Sequence, residues 1–297
     1  MRIATFWHSG RLRNMETLCL ASWLEAGFEV DLYSYGTVEG VPEGVARHAA
    51  DPVLPESLLQ RLLPVLRKER RAFQPMMNFS DLFRVKLQER GAGLWLDCDV
   101  LLFRHFAVDP GKPFFAWEDR HRIGSPVFYL PPDNPMIADY LRVLETPDLM
   151  PHWLGFRRGV LRPTFWRLLG RPFSPADLGI TVYGNDAFTR LARKHDLLRH
   201  ALGVRAFYAW NGKETLRFYD ADEADEAERL EDDPAVFGLH LHHKLHPTPR
   251  PAAASLYGRM LDRLGKRLPP LAWLPEGGRT GPLIAPNLTK TFPIRRP

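Results

Sequence analysis

The sequence predicts an α/β fold, a single sheet flanked by helices, and three observations carry that prediction. The chain opens with strand, helix, strand. A later helix leads through glycines into a short apolar strand that ends in an acidic D-x-D. The composition is that of one large globular unit: 297 residues, 45% hydrophobic and 25% charged, which excludes a disordered or fibrous chain.

In chain order, residues 2–7 form the first predicted strand, closed by the polar turn His8-Ser9-Gly10. Residues 14–26 have helical character and stop at Gly27. Residues 28–32 alternate apolar and polar, the strand period. Ser80 is a suitable N-cap for a helix reaching residue 90, with Leu82, Phe83, Val85 and Leu87 as its apolar positions and Gly91 as its stop. Short strands are expected at 93–97, 100–103, 114–117 and 126–130, then a helix at 135–145. Residues 147–180 are rich in Arg, Trp and Pro and show no clear period. A helix at 186–195 and a strand at 236–242 follow. Ten prolines in the last 51 residues, interrupted by one amphipathic helix near 253–268, mark residues 247–297 as an extension wrapping a domain of residues 1–246.

Forty Lys and Arg against 35 Asp and Glu give a net charge of +5. Residues 220–233 hold nine carboxylates and one Arg, which leaves 39 basic against 26 acidic residues elsewhere. Such a body suits phosphate-bearing ligands or peripheral docking on the inner membrane face. Nucleic acid is not an expected partner, because no binding motif is present and the acidic stretch would repel a phosphate backbone. Cys19 and Cys98 cannot build a disulfide framework or a cysteine zinc site. No stretch reaches the roughly eighteen apolar residues of a membrane span. Glu16 and Glu25 interrupt what would be a signal peptide, so a cytoplasmic setting is expected.

The chemistry concentrates at Leu94-Trp95-Leu96-Asp97-Cys98-Asp99-Val100. Two carboxylates at the end of an apolar strand repel each other unless a cation sits between them, and Mg²⁺ or Mn²⁺ prefers such oxygen ligands. A helix over 80–90 is roughly 15 Å long, and the return strand covers roughly the same distance. The chain therefore doubles back and brings Asp97 and Asp99 to Asp81 and Arg84, which stand one helical turn apart. Three carboxylates and a guanidinium then converge where open α/β sheets bind ligands. A turn with aspartates capping amides, beside an i,i+3 ion pair, would account for the same residues structurally.

Ser80-Asp81-Leu82-Phe83-Arg84, followed by Gly91-Ala92-Gly93-Leu94-Trp95-Leu96-Asp97-Cys98-Asp99, resembles the signature of DXD-motif sugar transferases of GT-A fold. That group includes initiating mannosyltransferases, α-1,4-galactosyl- and N-acetylglucosaminyltransferases and the glucosyltransferase domains of clostridial toxins. The second Gly falls one place late and Trp95 takes a Tyr place. The resemblance covers about the first 105 residues. It implies a GT-A-like nucleotide-sugar-binding sheet and a glycosyltransferase that moves a sugar from a nucleoside diphosphate to an acceptor hydroxyl of a polysaccharide, lipopolysaccharide or glycolipid, with retention. It also implies that Asp99 ligates a divalent metal, Mn²⁺ or Mg²⁺, with Asp97 on the metal's water shell and the donor. Asp81 and Arg84 would hold sugar hydroxyls, and Phe6, Trp7 and His8 would line the base. A C-terminal metal ligand is expected in the run from His240 to Pro247, with His240 favoured on spacing and His242 or His243 as alternatives. Lys244 would meet the phosphate. Asn185 is a candidate donor contact, and Asp186 a candidate catalytic group orienting the acceptor, although a helix-capping role explains Asp186 as well.

Two other readings share these residues. Asp97-Cys98-Asp99-Val100-Leu101 is similar to the nucleophile motif of haloacid-dehalogenase-type phosphatases, with Glu231-Asp232-Asp233 as a late acidic motif. That family opens with its D-x-D strand, whereas some ninety residues precede this one. A non-catalytic sugar- or phosphate-binding module would use the same groups.

Overall fold

The computed structural model describes residues 1–63, 74–242 and 250–273. The first strand, β1 (Ile3–Phe6), is buried along its whole length. A two-residue strand β2 (Gly10–Arg11) leads to α1 (Asn14–Glu25), most of which is also buried. Gly27 follows with φ +87°, a backbone turn that frees the chain to re-enter the sheet as β3 (Val30–Ser34). The short β4 (Val38–Glu39), β5 (Val45–Ala49) and α2 (Leu58–Arg61) complete the first half.

The helix predicted from Ser80 is already formed at Gln74: α3 spans Gln74–Glu89. Ser80 is therefore interior rather than an N-cap, because Asn78 and Phe79 extend the buried face backwards past it. After α3 come β6 (Leu94–Leu96), β7 (Val100–Leu102), β8 (Phe114–Trp117) and β9 (Ile123–Tyr129). The helix predicted over 135–145 is α4 (Pro135–Leu141), tightening to 3₁₀ geometry at Arg142–Glu145. The stretch without visible period contains α5 (Arg162–Leu168). Beyond it lie α6 (Asn185–Lys194), α7 (Arg205–Tyr208), α8 (Ala224–Asp232), β10 (Gly238–His240) and α9 (Leu256–Leu264).

Six strands form a mixed sheet in the order β5-β3-β1-β6-β9-β8, in which β5, β3, β1 and β6 run parallel. The strands β9 and β8 add antiparallel pairings, so the carboxyl end of β8 lies on the same sheet edge as that of β6. The chain builds outward from β1 through β3 to β5, then returns to β6 on the other side of β1. This reversal makes a topological switch point at the carboxyl ends of β1 and β6, the place where open α/β sheets take ligands. Gly93 permits the return: a Cβ there would lie 2.3 Å from the Arg2 carbonyl oxygen, and its φ is +107°.

Helix α1 grips the second layer, as the Trp23 indole donates to the Val100 carbonyl at 2.6 Å and the Leu102 amide donates to the Ser22 hydroxyl. There β7 pairs antiparallel with β10, Val100 opposite His240. Leu256, Tyr257, Met260 and Leu264 of α9 are buried in the same cluster as Met15, Leu18, Phe218 and Leu239. No described helix is long and apolar enough to cross a membrane. A depression of about 520 Å³ lined by Arg2, Asp31, Tyr33 and His48 lies at the opposite, amino-terminal end of the sheet, away from the acidic residues.

Candidate metal centre and its surroundings

The D-x-D occupies the tight turn between β6 and β7, closed by the Val100 amide donating to the Asp97 carbonyl at 3.0 Å. The middle residue faces inward: the Cys98 thiol meets the Thr5 hydroxyl at 3.2 Å and is buried. The flanking carboxylates turn the other way. Across from them, the β7–β10 pairing delivers His240, whose Nε2 stands 3.5 Å from Asp99 Oδ2. Ligand atoms of Asp97, Asp99 and His240 all lie within 4.8 Å of one another.

The preceding helix supplies the other wall. The Arg84 guanidinium contacts Asp81 at 3.0 Å and Asp97 at 3.2 Å, and donates to the Ser125 carbonyl of β9. It also lies over the Trp95 ring, 4.8 Å from its centroid, while the Trp95 indole donates to Asp97 Oδ1 at 2.6 Å. Arg84 is thus held through its two terminal nitrogens, its buried Nε having no hydrogen-bond partner among the described residues, and it holds Asp97 rather than reaching outward. The predicted meeting of Asp81, Arg84 and Asp97 is present, but the first two sit in the middle of α3, not at its start.

Three residues not singled out in the sequence border this corner. Glu118 directly follows β8, and the Asn185 side-chain amide donates to its carboxylate. An acid placed immediately after an apolar strand is the same signal that marks Asp97. The Asn211 amide donates to the Glu118 carbonyl at 3.1 Å, and its own carbonyl oxygen meets His242 Nε2 at 3.1 Å. The Tyr208 ring packs on His240, and its buried hydroxyl has no hydrogen-bond partner among the described residues. That hydroxyl fits only because position 124 is glycine, where a Cβ would lie 1.8 Å from the oxygen.

Four carboxylates, of Asp81, Asp97, Asp99 and Glu118, therefore surround one locked guanidinium and one imidazole. Burial pushes Asp81 up to about 7, against the pull of Arg84. Burial likewise raises Glu118, despite His240 and Arg122. For His240 burial lowers the pKa, but Asp99, Asp97 and Glu118 outweigh it and hold it above its ordinary value. His240 Nδ1 is buried without a hydrogen-bond partner among the described residues. Excess buried negative charge, two converging carboxylates and an imidazole make a donor set that a hard or borderline divalent cation fits.

The remaining predicted site residues are distributed as follows. Phe6 is taken into the core, 4.6 Å from Phe83 between ring centroids. Trp7 is half-buried beneath Arg13, and His8 contacts Glu56 and Ser9 at 2.8 and 2.9 Å. Asp186 is not an N-cap; that position belongs to Gly184, where a Cβ would come within 2.7 Å of the Asp81 carboxylate. The Asp186 carboxylate accepts from Arg158 at 2.6 Å and from the Thr181 hydroxyl at 3.0 Å. His242, expected to share a strand face with His240, lies beyond the end of β10 with φ 51° and turns to Asn211. His243, Lys244 and His246 lie outside the described residues.

No protein-family model matches the sequence, and neither does any curated protein sequence. Among solved structures, one titled "PaToxG Glycosyltransferase" is similar at a TM-score of 0.40 and 10% identity, over 65% of this chain and 68% of that one. At that degree of likeness, the functional reading rests on the chemistry of the site's own residues.

Proposed function

We propose that this chain is a glycosyltransferase that moves a sugar from a nucleoside diphosphate to an acceptor hydroxyl, with a divalent cation held by Asp97, Asp99 and His240. The observation that carries the reading is the convergence of ligand atoms of those three side chains within 4.8 Å of one another, just past the carboxyl end of β6. A cation there would offset the charge that grows on a departing diphosphate, without any proton transfer.

The chain's own residues supply orientation. Asp97 Oδ1 is occupied by the Trp95 indole and Arg84, which would leave Oδ2, unengaged among the described residues, to face a cation or its waters. Arg84 acts through Asp97 and Asp81 and serves as a positioning residue. Asp81, packed against Gly184, and Asn185, which donates to Glu118, would border the donor sugar. Trp7 and His8, just past the carboxyl end of β1, would line the base, whereas Phe6 lies in the core behind them. Residues 1–246 hold every element of this reading, and retention of configuration follows from the family resemblance alone. The acceptor class, a glycan or glycolipid, likewise comes from that resemblance.

The phosphatase reading gains nothing here. Asp97 is restrained by Arg84, and Glu231 and Asp233 are engaged by Arg259 and Arg205 at 2.6 and 2.8 Å. The test is release of nucleoside diphosphate from a panel of nucleotide sugars with Mn²⁺. Asp99→Ala should abolish release while leaving the circular dichroism spectrum unchanged. Undiminished release by that variant would remove Asp99 from the site and with it the metal-dependent reading.

A further inference from the structure

Six of the nine exposed large hydrophobic side chains among the described residues fall in one stretch: Phe156, Val160, Leu161, Phe165, Leu168 and Leu169. Their exposure is high, with Phe156 at 70% and Leu168 at 81%. They are not scattered around the helix. A π-type turn at Arg157–Leu161 runs directly into α5. Its wider i→i+5 step puts Phe156, Val160 and Leu161 on one side, and the i+4, i+7 and i+8 spacings from Leu161 carry that side on through Phe165, Leu168 and Leu169. The result is one continuous apolar stripe facing away from the protein, since Pro163 is the sole residue of α5 that is buried.

The charge of the stretch is uniform. Between Asp148 and Asp177 there is no acidic residue and there are five arginines. Arg158 turns inward to Asp186, and Arg167 reaches Asp148 at 3.4 Å. Arg157, Arg162 and Arg171 have no carboxylate partner among the described residues, and Arg162 lies over Trp166 at 4.9 Å. A helix this short is not stable in water by its own propensity and needs a surface for its apolar side. A second copy of the same face would bring arginines against arginines, which opposes self-association. Apolar and aromatic residues flanked by arginines, whose stems can lie along the lipid boundary, match an interfacial helix on an acidic bilayer.

We infer that residues 155–171 form an interfacial anchor seated in an anionic lipid surface. The anchor is joined to the candidate site through the Arg158–Asp186 contact of 2.6 Å, at the first turn of the helix that also bears Asn185. An acceptor carried on a lipid would then approach from the side that α6 borders; this last point, unlike the anchor, rests on the sugar-transfer reading.

The experiment is co-sedimentation of the full chain with vesicles of phosphatidylcholine alone or mixed with phosphatidylglycerol. Binding should require phosphatidylglycerol and weaken with salt. Phe165→Asp with Leu168→Asp should remove it, and Arg162→Glu with Arg171→Glu should weaken it roughly tenfold or more. Asp99→Ala should bind vesicles like the parent chain, which separates failure of the anchor from failure of the catalytic reading. Equal binding by the Phe165/Leu168 variant overturns the inference, as does binding indifferent to lipid charge. Absence of binding at every composition also overturns it and leaves the stripe to a protein partner. A dimer in solution that dissolves in the Phe165/Leu168 variant, without vesicle binding by the parent, assigns it to a second copy.

Discussion

Arg84 shows how much of the candidate site depends on one planar side chain. Its fork meets Asp81, Asp97 and the Ser125 carbonyl, and its face lies on Trp95. A lysine there would keep the charge but lose the fixed fork and the stacking. Arg84→Lys should therefore cost about 1–3 kcal/mol of stability, because buried acceptors are left short of donors. Urea unfolding measures this, and an unshifted midpoint would mean that the fork contributes nothing to the fold. The alternation of Asp97, Cys98 and Asp99 was readable because an apolar strand ending in two acids is chemically unusual. The Ser125 carbonyl was not readable, since a backbone acceptor carries no residue signature. The Tyr208 hydroxyl escaped for a related reason: it depends on what is missing at Gly124.

At the level of elements, the packing of α4 on α6, built on Tyr140 and Phe188, is reinforced by Asp139. Its carboxylate accepts from Lys194 at 2.7 Å, His195 at 2.9 Å and His152 at 3.1 Å, so the last turn of α6 is drawn onto α4. Burial would raise this carboxyl, but Lys194, His195 and His152 outweigh burial and lower it to about 2 from 3.8. A folded-state pKa below the unfolded one means stability that is fully present above 3.8 and is lost as pH falls through about 2. Stability measured by urea unfolding should therefore drop more steeply over that interval in the parent chain than in Asp139→Asn; parallel curves would show that the clamp is idle. The stretch at 156–168 teaches the opposite lesson about elements. Its apolar spacing of four, then one, then four, then three looks aperiodic until the π-type turn is known. Similarly, Ser80 has the chemistry of a helix start, but the buried face continues behind it to Phe79 and Asn78.

On the scale of the whole molecule, the candidate metal centre would draw its ligands from two layers. Asp97 follows a strand of the main sheet, whereas His240 comes from the separate β7–β10 pair that α1 holds in place. A cation bound there would tie the layers together and should stabilise the entire fold. At a concentration a hundredfold above its Kd, Mn²⁺ should contribute about 3 kcal/mol and raise Tm by a few degrees. EDTA should reverse the rise, and Asp99→Ala should show none. A rise of equal size in Asp99→Ala would place the cation elsewhere.

The amino-acid sequence by itself determined the α/β class, the strand–helix–strand opening and the acidic pair beside Asp81 and Arg84. Each of these follows from local chemistry: period, glycine stops and the cost of crowding carboxylates. Only the tertiary structure decided that His240 rather than His242 faces the pair, that Glu118, Asn211 and Tyr208 border it, and that an apolar stripe is left facing outward. Those outcomes depend on which strand pairs with which and on where a backbone turns, as at the left-handed His242 and the π-type turn before α5. Such choices are set by packing between segments far apart in the chain, which no local pattern of residues encodes.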